Sequence, residues 1–224
     1  MSTTENCIKE SFYEYGNVYK KILSIIYPAK NSSGFAERNL SVNYTKSYEK
    51  VARHYGQDTF TWYEFQFGEN NNLHVDAVIF NVTAKTMIVI ESKRFSNPIT
   101  KMREIGKDID RIIAFIKELN GEINEGTTRV NLDEYNKIYG MVLADVWEET
   151  ELKVAIKESF VKGMENHCSN EAFMNRYRDK VKHSSVISDI YYDVQSMNNE
   201  ESAKNYSLVS FWWRIRGGVN DDMS

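Results

Sequence analysis

An acid and a base, Glu91 and Lys93, follow an apolar run in the segment TMIVIESKRF. The run itself, Met87–Ile90, is rich in β-branched residues, which is typical of a strand that crosses the interior of a sheet. Side chains alternate between the two faces of a strand, so Glu91 and Lys93 project from the same face. A charged pair at the end of a buried strand is costly unless a partner or a ligand binds it. The spacing therefore indicates a candidate site at this strand end.

A second acid, Asp76, lies in the apolar segment HVDAVIF. If Phe80 pairs with Met87 across the intervening turn, the constant sum of paired positions in an antiparallel hairpin puts Asp76 opposite Glu91. Directly opposed side chains lie about 4.5–5.5 Å apart at their Cβ atoms and share a face. The pattern therefore predicts that Asp76, Glu91 and Lys93 meet at one end of the hairpin.

Asp76 and Glu91 would form an oxygen-rich pair of the kind that binds Mg²⁺ or Mn²⁺. Two carboxylates this close repel each other unless a cation lies between them. Mg²⁺ commonly takes one or two protein carboxylates together with waters and substrate phosphate oxygens, and it would acidify a bound water and polarise a phosphodiester. Lys93 could orient or deprotonate that water, or offset the charge that develops on phosphorus. These groups are the parts that a phosphodiesterase needs.

Hydrophobic periodicity predicts the elements that position these residues. Helices are expected at Cys7–Tyr27, Phe35–Tyr55 and Ile99–Leu119, and strands at Thr59–Phe67, Leu73–Phe80, Met87–Lys93 and Lys137–Ala144. The C-terminal third is expected to contain helices at Glu149–Gly163 and Asn170–Lys182 and a strand at Tyr206–Arg216. This order of elements predicts an α/β fold with a mixed sheet flanked by helices.

Composition favours one domain, residues 1–224, because the chain has only two prolines and no Gly/Ser linker. We expect an N-terminal helical extension at 1–30, a core at 35–144 and a C-terminal extension of helices and a strand at 145–224. The N-terminus lacks the pattern of a signal peptide, and no apolar run approaches the roughly 20 residues needed to span a bilayer. With Cys7 and Cys168 too far apart in sequence for a metal or redox motif, a cytoplasmic protein is expected.

The acidic motif resembles that of a known family. HVD, fourteen intervening residues and then ESK, with a helix before and after, resemble the PD-(D/E)xK nuclease superfamily, which includes many restriction endonucleases and junction resolvases. The resemblance covers about residues 35–144 and implies a restriction-endonuclease-like αβββαβ core. By position, it implies that Asp76 and Glu91 are metal-binding acids and that Lys93 is the catalytic lysine. Val75 stands where the family motif has proline.

The resemblance also draws attention to Glu37, because many members carry a further acid on the helix before the sheet. Glu37 lies three residues before Leu40 and seven before Tyr44, which puts it on the inward stripe of the expected helix. It could bind the metal directly or through water. The alternative is that Glu37 only complements the helix dipole.

Basic residues follow the motif and could bind nucleic-acid phosphates: Arg94, Lys101, Arg103 and Lys107. Together with Arg111, those on the helix are expected on its flanks or its solvent side. The alternative is an ordinary solvated helix flank, since Glu104, Asp108 and Asp110 are interleaved with them. The net charge of −4 argues against a binder driven by overall charge.

The function expected from these residues is metal-dependent hydrolysis of phosphodiester bonds, with DNA as substrate and RNA not excluded. Many relatives act as dimers, so a homodimer is also open. A catalytically inactive nuclease fold that binds nucleic acid or a protein is the main alternative. Glu64 is a reserve ligand opposite Asp76, with a surface acid of an edge strand as the alternative. His74 shares a face with Asp76 and could contact a metal or phosphate, with a structural role as the alternative. The remaining alternatives are a surface salt bridge at the strand end and glycoside hydrolysis by the paired acids.

Overall fold

A computed structural model describes residues 3–26, 36–68, 72–95, 98–119, 130–148, 158–159, 162–163, 190–198 and 205–216. Its helices are α1 (Thr3–Ile25), α2 (Arg38–His54) and α3 (Pro98–Leu119), with a 3₁₀ turn at Leu132–Glu134. Its strands are β1 (Thr59–Phe67), β2 (Leu73–Asn81), β3 (Thr86–Arg94), β4 (Lys137–Glu148), β5 (Ile190–Asn198) and β6 (Asn205–Arg216). The predicted order of helix, three strands, helix and strand is present from α2 to β4.

The six strands form one mixed sheet in the order β1-β2-β3-β4-β6-β5. Neighbours pair antiparallel except β3 and β4, which are parallel and are joined through α3. A parallel pair needs such a crossover connection, whereas antiparallel neighbours can be joined by a short turn. The predicted α/β class, a mixed sheet flanked by helices, is confirmed.

The hairpin of β2 and β3 has the register that the sequence predicts. Phe80 pairs with Met87, and the pairing continues to Ala77 and Ile90. Four residues, 82–85, make the turn, and Lys85 has a φ of +48°. Because this short turn fixes the register, every later position on the two strands is determined as well.

Helices cover both faces of the sheet, which explains the unbroken apolar run of β3. Met87 and Val89 belong to a hydrophobic cluster with α3 residues, which we call the α3-side core. Ile88 and Ile90 belong to a second cluster with α1 and α2 residues, which we call the α1/α2-side core. A strand buried on both faces has no polar face, so its sequence does not alternate.

Helix α1 packs its amphipathic face on α2 and on the sheet. Cys7, Ile8, Phe12 and Tyr15 are fully buried there, and burial raises the pKa of the Cys7 thiol to about 11. A long helix with one apolar stripe is expected at the surface of a layered fold. Within the part of the chain that the structure describes, no helix is long and apolar enough to cross a membrane.

The C-terminal residues extend the sheet. The predicted strand at Tyr206–Arg216 is confirmed as β6, which pairs antiparallel with β4, and β5 occupies the edge beside it. Strand β4 continues past its predicted end to Glu148, so the expected boundary between residues 144 and 145 falls inside a strand. The helices predicted at Glu149–Gly163 and Asn170–Lys182 lie outside the described residues, apart from 158–159 and 162–163, which are helical.

Candidate functional site

The site begins where β2 and β3 separate. Their pairing ends at Ala77 and Ile90, so Asp76 and Glu91 occupy the next opposed positions. The Asp76 carboxylate accepts a hydrogen bond from the backbone N–H of Ser92, with Oδ2 2.7 Å from the nitrogen. Burial raises the pKa of Asp76, and this bond partly offsets the rise. Where the two strands separate, the Asp76 carboxylate thus replaces a backbone carbonyl as the acceptor for the Ser92 N–H.

Glu91 is buried on the α3 side of the sheet, with 2% of its surface exposed. Its Oε1 accepts a hydrogen bond from Arg111 Nη1 at 3.0 Å, which is also an ion pair. Burial and, secondarily, the charge of Asp76 raise the pKa of Glu91 to about 9, although Arg111 acts in the opposite direction. One guanidinium does not fully compensate two neighbouring acids in this environment.

Lys93 lies next to Glu91 on the same face and is held by α3. Its Nζ is 3.2 Å from Oδ2 of Asp108, and the Asp108 side chain is only 2% exposed. Burial alone would lower the pKa of Lys93, but the charge and hydrogen bond of Asp108 outweigh it and the pKa rises. Lys93 is therefore held as an ammonium ion.

Asp108 joins the two pairs into one chain. Its Oδ1 lies 3.3 Å from Arg111 Nη1, while Oδ2 contacts Lys93. Contacts link four side chains in the order Glu91, Arg111, Asp108 and Lys93 across the interface of β3 and α3. This group, in which acids and bases alternate, is here called the ion-pair chain. Charges buried this deeply persist only when each is paired.

Glu37 contacts the end of β3 from the start of α2. Helix α2 begins at Arg38, so Glu37 is at its N-cap and not in its first turn as predicted. Its Oε1 accepts a hydrogen bond from the backbone N–H of Arg94 at 2.8 Å. The Glu37 charge contributes to the raised pKa of Lys93, so the acid acts on the site through Lys93 and the end of β3.

Two acids, Asp76 and Glu91, match a divalent cation by their chemistry. They present carboxylates from opposed positions, and one or two such groups are what Mg²⁺ commonly takes from a protein. Burial and, secondarily, the charge of Asp76 raise the pKa of Glu91, and a cation between the two acids would relieve their repulsion. Among the described residues, no three His, Cys, Asp or Glu side chains are arranged to hold a metal ion, and Glu37 is not a third member of such a group.

The reserve ligands Glu64 and His74 are engaged with each other. His74 Nε2 lies 3.3 Å from Glu64 Oε2, and both side chains are exposed. Glu64 lies between the pairs Tyr63–Ala77 and Phe65–Val75, where it would oppose Asp76, and it has a φ of +50°. Its charge adds to the raised pKa of Asp76, so it modifies the field of the site from the edge strand.

The predicted phosphate-binding residues fall into two groups. Arg94 is 19% exposed, and its Nε lies 4.0 Å from Oδ1 of the buried Asp145 on β4. Lys101 pairs with Glu104 at 2.7 Å. Arg103 and Lys107 are exposed and lie one helical turn apart on α3. These last two are the residues of the set that face solvent.

The sequence analysis misses two residues of the site, Asp108 and Arg111. It expects Arg111 on the flanks or solvent side of the helix and names Asp108 only in the alternative of a solvated flank, whereas Asp108 is the most buried acid of the helix at 1% exposure. A signal was present: Asp108 lies three residues after Ile105 and four before Ile112, and both isoleucines are fully buried. Arg111 follows Asp108 by three residues, the spacing of neighbours on one helix face.

The site therefore joins two carboxylates at a strand fork to a lysine that α3 holds in place. Glu37 lies beside the lysine, and Arg103 and Lys107 are exposed on the same helix. The chain matches no protein-family model, no curated protein and no solved structure in the comparisons made.

Proposed function

We propose that this protein is a metal-dependent nuclease that hydrolyses phosphodiester bonds, with DNA as the expected substrate. The observation that carries the proposal is the placement of Asp76 and Glu91 at opposed positions beyond Ala77 and Ile90, with Lys93 on the same face. It agrees with the resemblance to the PD-(D/E)xK nucleases, and membership of that superfamily is part of the proposal.

Asp76 and Glu91 would hold Mg²⁺ or Mn²⁺ in this function. The bound ion supplies an acidified water and a polarised phosphodiester. The chain's own contribution is to fix the two carboxylates by the strand register and by the Ser92 N–H bond to Asp76. Burial behind α3 keeps water from competing with the interactions of Glu91.

Lys93 supplies positive charge in this proposal. Its ammonium, held 3.2 Å from Asp108, is suited to stabilise the negative charge that develops on the phosphoryl oxygens. Of the roles considered for it, this one fits its raised pKa, since a lysine that keeps its proton is a poor base. Asp108 is a positioning residue that fixes the lysine and its protonation.

Arg103 and Lys107 would bind the nucleic-acid backbone from the exposed side of α3. Such contacts position a duplex or a single strand without reading its bases. The proposal therefore gives DNA as substrate class, leaves RNA open, and includes a homodimer as one way to cleave two strands.

The test is cleavage of plasmid and of single- and double-stranded oligonucleotides with Mg²⁺ or Mn²⁺. Wild type should cleave, and Asp76→Ala and Lys93→Ala should reduce the rate by at least about 100-fold, the usual size of a lost electrostatic or acid–base group. Lys50→Ala is a matched control, because Lys50 is exposed and pairs with Glu14 away from the site. Cleavage that persists unchanged in Asp76→Ala and Lys93→Ala would reject the proposal.

A second candidate is a catalytically inactive nuclease fold that binds nucleic acid or a protein partner. One observation favours it: Arg111 already donates to Glu91 and provides a positive charge where a metal would. Calorimetric titration with Mn²⁺ separates the two candidates. Binding that is lost in Glu91→Gln supports the nuclease, whereas no binding in wild type supports the inactive fold.

A further inference from the structure

Arg111 occupies a special place in the ion-pair chain. Its Nη1 lies 3.0 Å from Oε1 of Glu91 and 3.3 Å from Oδ1 of Asp108, so one nitrogen contacts both acids. The side chain is 32% exposed, whereas both carboxylates are 2% exposed. The guanidinium therefore reaches in from the solvent-accessible side, and its outer part has room to move.

The Arg111 guanidinium and a divalent metal ion compete for the Glu91 carboxylate on electrostatic grounds. Both need the negative charge of the same carboxylate, and like charges at a separation of a few ångströms repel. Lys93 is close enough for the Glu91 charge to contribute to its raised pKa, but its ion pair is with Asp108. Arg111 is the cation in direct contact with the Glu91 carboxyl group.

Asp108 gives Arg111 a second partner that remains when Glu91 is taken. A guanidinium has five N–H donors and loses little by turning about one acid. Retreat of Arg111 from Glu91 to Asp108 would leave no charge buried and unpaired, so the exchange avoids the large cost of such a charge.

We propose that Arg111 is a built-in cation that occupies the Glu91 carboxyl group in the metal-free protein and is displaced to Asp108 when the divalent ion binds. This inference deepens the proposed function and depends on its metal site. It makes Arg111 a regulator of metal affinity, because a divalent ion must overcome both the positive charge of Arg111 and its hydrogen bond to Glu91.

The test is Mn²⁺ affinity by isothermal titration calorimetry for wild type, Arg111→Gln and Arg53→Gln, without nucleic acid. Arg111→Gln should bind Mn²⁺ about tenfold or more tightly, as expected for removing a unit charge a few ångströms from a divalent ion. Arg53→Gln makes the same charge change at an exposed position near the end of α2, and it should bind like wild type.

The outcomes distinguish this inference from the proposed function. If wild type binds Mn²⁺ through Glu91 but Arg111→Gln binds no more tightly, the role of Arg111 is rejected and the metal site stands. If neither protein binds Mn²⁺, both proposals are rejected. Binding in Arg111→Gln alone would reject the displacement, because Arg111 would then keep the metal out of the native protein, and it would support the inactive fold.

A second measurement uses the wild-type protein, so it does not depend on whether Arg111→Gln folds. In the wild-type protein, Mg²⁺ should shift the side-chain ¹⁵N resonances of Arg111, assigned by their absence from the spectrum of Arg111→Lys. Resonances that stay unchanged while calorimetry shows the Mg²⁺ site to be filled would overturn the displacement.

Discussion

Burial of Glu91 has a measurable cost that depends on pH. Burial and the charge of Asp76 raise the pKa of Glu91 from 4.5 to about 9, so the folded protein holds this proton more tightly than the unfolded chain. Stability from this group is complete below pH 4.5 and is lost as the pH rises towards about 9. At about 1.4 kcal/mol per unit of pH, the loss between pH 5 and pH 8 is at most about 4 kcal/mol.

Urea denaturation of the metal-free protein in EDTA, at pH 5, 6, 7 and 8, measures this loss. Glu91→Gln replaces the carboxyl group by a neutral group of the same shape, so its free energy of unfolding should decline less with pH, by up to about 4 kcal/mol over this range. Glu104→Gln is the matched control, because Glu104 has a lowered pKa and is ionised throughout. Equal pH slopes for wild type and Glu91→Gln would refute the reasoning.

Three further predictions concern the support of the site and the sheet. Asp108→Asn should cut the cleavage rate and move the alkaline limit of activity to lower pH, because Lys93 loses the charge that raises its pKa. Asp108→Glu should partly restore both, which a pH–rate profile would show. Gly140→Ala should lower the free energy of unfolding, measured by urea denaturation, by about 1–3 kcal/mol. The reason is that the new Cβ would lie 2.3 Å from Cζ2 of Trp213. Gly56→Ala should lower the free energy of unfolding by only about 1 kcal/mol. Its φ of +66° is unfavourable for alanine, but no atom lies within 4 Å of the new Cβ.

The hairpin could be predicted from the sequence because its signals are local. Strand β1 lies at its predicted bounds, Thr59–Phe67, and Phe80 pairs with Met87 as expected. A short turn fixes the register, and the register alone puts Asp76 opposite Glu91. The three central residues of the site follow from these local facts.

The contribution of α3 could not be predicted so directly. Asp108 and Arg111 resemble solvated helix residues, since most charges on a helix face water. Their burial depends on the acid and base that the sheet presents to them, which is a tertiary effect. Strand β5 is also absent from the predictions, because it is an edge strand whose position depends on pairing with β6.

The position of β6 makes the core dependent on residues far along the chain. Strand β4 lies between β3 and β6, and Met141, Val142 and Leu143 at its middle are fully buried. A chain cut after Glu148 would keep all the acids and bases of the site but would uncover the whole length of β4. An exposed apolar strand edge is a template for pairing between molecules. A chain that ends at Glu148 should therefore aggregate when expressed alone, and activity mapping by truncation would mistake lost solubility for lost chemistry.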